Sequence, residues 1–211
     1  MSDLLREIDE DVAKEKSEQF IEKWGLSIGI SLVILVAGLF FYFNWQDRVE
    51  TAALDEADAF AKALEDMSAD PEASVGALTD LSQTRAGFGE LSSFKMGDAL
   101  WAADQPQEAV SAWQAYIANP QHNENLVNSA RFRLAWYANG LLEPSEIIAE
   151  IEILEQVEAY AAYGPILRAL VAVEADDQAA ALELLALANA EDKPGPVRDL
   201  ASALIGLAKS L

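Results

Sequence analysis

The chain has 211 residues, 52% hydrophobic and 24% charged, with 36 Asp and Glu against 14 Lys and Arg and a formal net charge of −22. Such a sequence is too apolar to stay disordered, so it predicts a folded core, and its charge sets nucleic acid aside, because phosphate contacts need clustered Lys and Arg. No cysteine is present, which excludes disulfides, thiolate chemistry and Cys-ligated zinc.

At the N-terminus, Leu4, Ile8, Val12, Phe20 and Trp24 recur in multiples of four amid acidic and basic residues. That spacing predicts an amphipathic helix with one narrow apolar stripe over residues 1–23. From Trp24 to Trp45 no side chain is charged. Read as a helix, Trp24 to Phe43 spans roughly 30 Å, the thickness of a bilayer's hydrocarbon core. Trp24 stands at one end and Phe41, Tyr42 and Trp45 crowd the other, in the manner of interfacial aromatic belts. Eight acids precede the run, where a cleaved signal peptide has a short basic segment, so the expectation for 24–45 is a retained transmembrane helix. Arg6, Lys14, Lys16 and Lys23 precede it and only Arg48 follows closely. The bias places the N-terminus in the cytoplasm and residues 46–211 across the inner membrane, which in a bacterium means the periplasm.

Beyond the span, all seven prolines fall after residue 70 and punctuate Ala- and Leu-rich segments. No alternating Val, Ile and Thr run and no Asn-Gly or Asp-Gly hairpin signal appears. The expected fold is therefore all-α, with helices near 48–67, 72–83, 90–104, 107–118, 123–140, 145–160, 164–175, 178–190 and 195–209. Paired short helices raise the question of a repeat of about 34 residues. The best instance is SFKMGDALWAADQPQEAVSAWQAYIANP, with Gly97 and Leu100 in its first helix, Ala109, Trp113 and Tyr116 in its second, and Pro120 closing it. Small residues on facing helices let the backbones approach while bulky neighbours fill the groove beside them. Weaker copies read ARFRLAWYANGLLEPSEIIAEIEIL and ILRALVAVEADDQAAALELLALAN, the second pairing Ala169 with Ala181, and PVRDLASALIGLAKSL reads as a capping helix.

The opening LLREIDEDVAKEKSEQFIEKWG, the position of the apolar run, and GFGELSSFKMGDALWAADQPQEAVSAW followed by LVNSARFRLAWYANG together resemble the tetratricopeptide-like family of the ancillary Sec translocon subunit, the YfgM-like proteins. The likeness extends over nearly the whole chain and rests on patterns of size and polarity, not on reactive residues. It implies a single-span bacterial inner-membrane protein, cytoplasmic at the N-terminus, with a periplasmic helical-repeat domain. It also implies Sec translocon subunits, periplasmic chaperones or secretory clients as partners. The repeats conform poorly to the family pattern, which bears on the shape of any peptide groove.

Motifs for chemistry are sparse. Ser92 and Lys95 have the Ser-x-x-Lys spacing without the companion motifs of penicillin-recognising enzymes, and read as a helical surface pair. His122, the only histidine, has no second imidazole and no cysteine to share a metal, and reads as a solvated loop residue. GFG at 87–89 reads as a turn entering a helix. The sequence thus points to a non-enzymatic protein without cofactor, metal or small-molecule substrate. If Gly97 and Ala135 mark equivalent positions, Phe94, Asp98 and Trp101 of one repeat join Phe132 and Trp136 of the next on the concave side, forming an aromatic, acid-rimmed groove for protein partners. Against this stands the ordinary role of large aromatics as core filler. The function expected is a membrane-anchored interaction subunit in protein export. The alternative is a scaffold for cell-wall or outer-membrane assembly.

Overall fold

The computed structural model describes Tyr42 and residues 51–84 and 87–208. The amphipathic 1–23 segment and the expected transmembrane helix 24–45 lie outside the described residues, apart from an exposed Tyr42. Among the described residues no helix is long and apolar enough to cross a membrane. From Asp55 onward the chain forms one compact unit.

The described secondary structure is helical throughout, with no strand among these residues. Helix α1 covers 51–69. It is followed by α2 (Pro71–Ser82), α3 (Gly89–Ala102), α4 (Pro106–Ile117), α5 (Glu124–Tyr137), α6 (Pro144–Glu155), α7 (Glu158–Ala161), α8 (Gly164–Glu174), α9 (Gln178–Ala188) and α10 (Gly195–Ala208). Proline is the first residue of α2, α4 and α6 and the second of α8, where its fixed φ suits the first turn and its missing N–H costs nothing. Side-chain caps complete several starts: Asp70 accepts from the Ala73 N–H at 3.2 Å, and Asp177 from the Ala180 N–H at 3.0 Å. Glu143 and Glu146 form a reciprocal capping box on α6.

One expected helix is two. The stretch 145–160 breaks after Glu155, where the Gln156 and Val157 N–H groups donate to the Ile153 and Leu154 carbonyls in a tightened final turn. The β-branched Val157 then stands extended, at φ −96° and ψ 116°, before α7 begins.

Three helix pairs, α3/α4, α5/α6 and α8/α9, repeat one plan. Each first helix ends on a left-handed residue, Asp104 (φ 57°), Gly140 (φ 77°) and Asp176 (φ 56°), at intervals of 36 residues (140 − 104 and 176 − 140). The first and third close identically. Gln105 N–H donates to Leu100 O at 3.0 Å and Asp104 N–H to Trp101 O at 3.2 Å, matched by Asp177 to Ala172 at 2.9 Å and Asp176 to Val173 at 3.1 Å. Counting from these turns, Phe94, Ala130 and Ile166 are equivalent, and all are buried. The second helices bury Ala109, Trp113 and Tyr116, then Ile147, Ile151 and Leu154, then Ala181, Leu185 and Ala188, with one shared internal spacing; the first and third sets stand equally far from their turns, and the middle set lies two residues farther along.

That register differs from the sequence expectation. The turns equate Gly97 with Arg133 and Ala169, two residues from the Ala135 chosen on residue size. Size misleads here because Arg133, a long side chain, occupies the slot that glycine fills one repeat earlier. A Cβ at Gly97 would collide with the Trp113 indole, so glycine is required where the tryptophan lies flat across α3. Adjacent pairs share a core through Phe94, Trp113, Leu134, Ile151 and Leu167. Helix α10 covers the far end with Val197 and Ala201, while Ala63, Leu78 and Ala99 pack α1 to α3 at the near end.

Candidate protein-binding groove

Helix α5 carries Phe132, Arg133, Trp136 and Tyr137, whose spacing of one and four residues puts them on one face. That face floors a groove of about 760 Å³. Asp98 of α3 borders it on one side, Ala159 and Tyr160 of α7 with Tyr163 on the other, and Leu200 of α10 closes an end. The break after Glu155 therefore has a consequence for the site, because it brings Tyr160 and Tyr163 to the groove.

Phe132 is the hub of the rings. Its centroid lies 5.9 Å from Trp136 in a stacked arrangement, 5.6 Å from Tyr160 and 5.5 Å edge-on from Tyr163. The Tyr160 hydroxyl is tied to Ser129 Oγ at 2.8 Å. These contacts fix the rings without burying them: Phe132, Trp136, Tyr160 and Tyr163 are all half-buried and Tyr137 is exposed. Arg133 lies along the floor, its Nε donating to Asp98 Oδ1 at 2.5 Å and its guanidinium 4.7 Å above the Phe94 ring. Lys95 donates to the other Asp98 oxygen at 3.0 Å. The carboxylate is therefore satisfied by two cations.

Of the five residues nominated by sequence, the structure brings Asp98, Phe132 and Trp136 together on the groove. Phe94 is 6% exposed and packs on Tyr116 at 5.6 Å, beneath Arg133. Trp101 is half-buried behind the wall, 4.8 Å from Tyr137 and 6.2 Å from Trp113. The sequence reading did not nominate Arg133, Tyr137, Tyr160, Tyr163 and Leu200. Tyr137 was in reach, because it is the counterpart of Trp101 once the turns set the register. Tyr160 and Tyr163 were not, since a continuous helix over 145–160 hides their turn toward α5.

The remaining motifs have structural employment. The Ser92 hydroxyl is fully buried and Lys95 turns to Asp98, so the pair is not the surface pair its spacing suggested. His122 is half-buried, not solvated. Its ring stacks on Tyr116 at 4.0 Å, Nδ1 meets the Tyr116 carbonyl at 2.9 Å, and Nε2 meets the Asn119 amide at 3.0 Å. The carbonyl only accepts, so the proton is assigned to Nδ1 and Nε2 accepts from Asn119. The Tyr116 phenol donates to Glu90 Oε1 at 3.1 Å. Burial first, then that hydrogen bond and the Glu90 charge, hold the phenol well above its ordinary range. Glu90 also accepts from the Asn123 N–H at 2.5 Å, so the network fastens the α4–α5 loop to α3. Farther along, Arg168 grips both Glu155 oxygens at 2.8 Å, a fork that keeps the carboxyl below its usual range against the opposing effect of burial.

Aromatic faces, phenol hydroxyls and one neutralised ion pair make a surface suited to non-covalent holding of an extended chain. Compared with family models, curated proteins and solved structures, the chain matches none.

Proposed function

We propose that this chain is a membrane-anchored, non-catalytic interaction subunit of the bacterial inner membrane, its N-terminus cytoplasmic and its tetratricopeptide-like domain in the periplasm, where it holds polypeptides at the Sec translocon. The observation that carries the reading is the aromatic groove on α5, an open surface of partly exposed rings built on a rigid repeat. Helix pairs recurring at 36 residues support the repeat assignment. The uncharged run Trp24–Trp45 supports the anchor. A tether of this kind raises the local concentration of a weak binder beside its client, so the groove needs only modest affinity. Translocon subunits, chaperones and emerging secretory chains are the partners implied by resemblance.

Photocrosslinking in cells tests the proposal, with a photoreactive residue at Trp136 or Tyr163 and a control at Glu183 on α9. The expected result is crosslinks from the two groove positions to translocon subunits, chaperones or secretory chains, and none from Glu183. Crosslinks confined to cell-wall or outer-membrane assembly factors would replace the export role with the scaffold reading. Identical patterns at all three positions would contradict a groove.

A further inference from the structure

We infer that the occupant of the α5 groove is an extended segment of another polypeptide that combines aromatic or aliphatic side chains with Lys or Arg. This deepens the proposed interaction function and rests on it. Residues 55–211 hold 26 Asp and Glu against nine Lys and Arg. Five of those nine, Lys95, Arg131, Arg133, Arg168 and Lys193, are engaged with acids of the same domain. The cations are thus largely consumed internally, and the outward field is that of the surplus carboxylates.

Two ranges of force then select the same partner. Out to about a Debye length from the surface, about 8 Å at physiological ionic strength, the surplus acts as a diffuse negative field that speeds the approach of basic chains and repels acidic ones. At contact, charges along the groove nearly balance. The charged lining residues are Asp98 and Arg133, paired with each other, and Lys95 meets the second Asp98 oxygen. Holding therefore falls to the rings, whose faces attract apolar groups and also cations. Arg133 over Phe94 already displays that ring–guanidinium contact within the site. Carboxylate side chains gain nothing from either range.

The test uses the full-length protein in detergent and three fluorescein-labelled peptides of equal length and equal Phe content, carrying Lys, Glu or Ser at the remaining positions. Fluorescence polarisation is expected to show the Lys peptide binding at least about tenfold more tightly than the Glu peptide at low salt, with Ser between them and the gap narrowing at high salt. Trp136→Ala and Tyr163→Ala, each checked for native helicity by circular dichroism, are expected to weaken all binding. Equal binding of the three peptides that depends on Trp136 and Tyr163 would overturn the preference for basic segments and leave the groove in place. Binding unmoved by either substitution, or no binding of any peptide, would overturn both.

Discussion

At Gly97 an added methyl group meets the Trp113 indole, and the indole is held on its other side by Tyr137, stacked at 5.8 Å, and by Trp101. A rigid ring with neighbours on two sides cannot step aside, so Gly97→Ala is expected to destabilise the domain by about 1–3 kcal/mol in urea unfolding. At Asp176 the sign reverses. A non-glycine residue at φ 56° carries steric strain that glycine relieves, and Asp176→Gly is expected to raise stability by roughly 0.5–1 kcal/mol, seen as a higher urea midpoint. Glu155 supplies the pH dependence. Arg168 depresses its native pKa, so the contribution of the pair is complete above the unfolded carboxylate value, about 4.3, and is lost as pH falls through the native value. Comparing urea midpoints at neutral and acid pH, Glu155→Gln is expected to cost roughly 0.5–1 kcal/mol near neutrality and to leave a flatter acid limb than the parent.

Helices are the level at which the sequence was most legible. Proline at the first turn and an uninterrupted Ala–Leu periodicity mark the starts of α2, α4, α6 and α8 to within a residue or so. Breaks without proline or glycine carry no such mark, which is why α6 and α7 read as one helix: the β-branched Val157 that stands extended between them is a weak local signal in an otherwise helical pattern. The groove was legible in part for the same reason. Asp98, Phe132 and Trp136 lie on helices with clear periodicity, whereas Tyr160 and Tyr163 depend on the break. Phe94 illustrates a different limit, since whether a large ring faces the core or the groove turns on a register shift of two residues, and that register is set by the backbone turns at Asp104, Gly140 and Asp176. The distinction between floor and core yields a paired expectation. Phe94→Ala should cost about 3–5 kcal/mol of stability as a cavity in the core, whereas Trp136→Ala should cost less stability but weaken peptide binding, the first read by urea unfolding and the second by polarisation.

For the whole molecule, the proposed function joins three features of one chain: an uncharged run of bilayer length, a helical repeat whose pairs recur at 36 residues, and a strongly acidic surface around an aromatic groove. In the proposed function it is tethering that gives the groove its role, because a weak binder gains occupancy when held where clients emerge. Sidedness is therefore the claim on which the rest depends. Protease digestion of cells with the outer membrane opened, followed by immunoblotting of the alkali-washed membrane fraction, tests it most directly. The account predicts that the protein stays in the membrane pellet and that residues 55–211 are degraded once the outer membrane is breached, with the 1–23 segment protected. Survival of the large domain with loss of the N-terminal segment, or recovery of the intact chain in the soluble fraction, would contradict it.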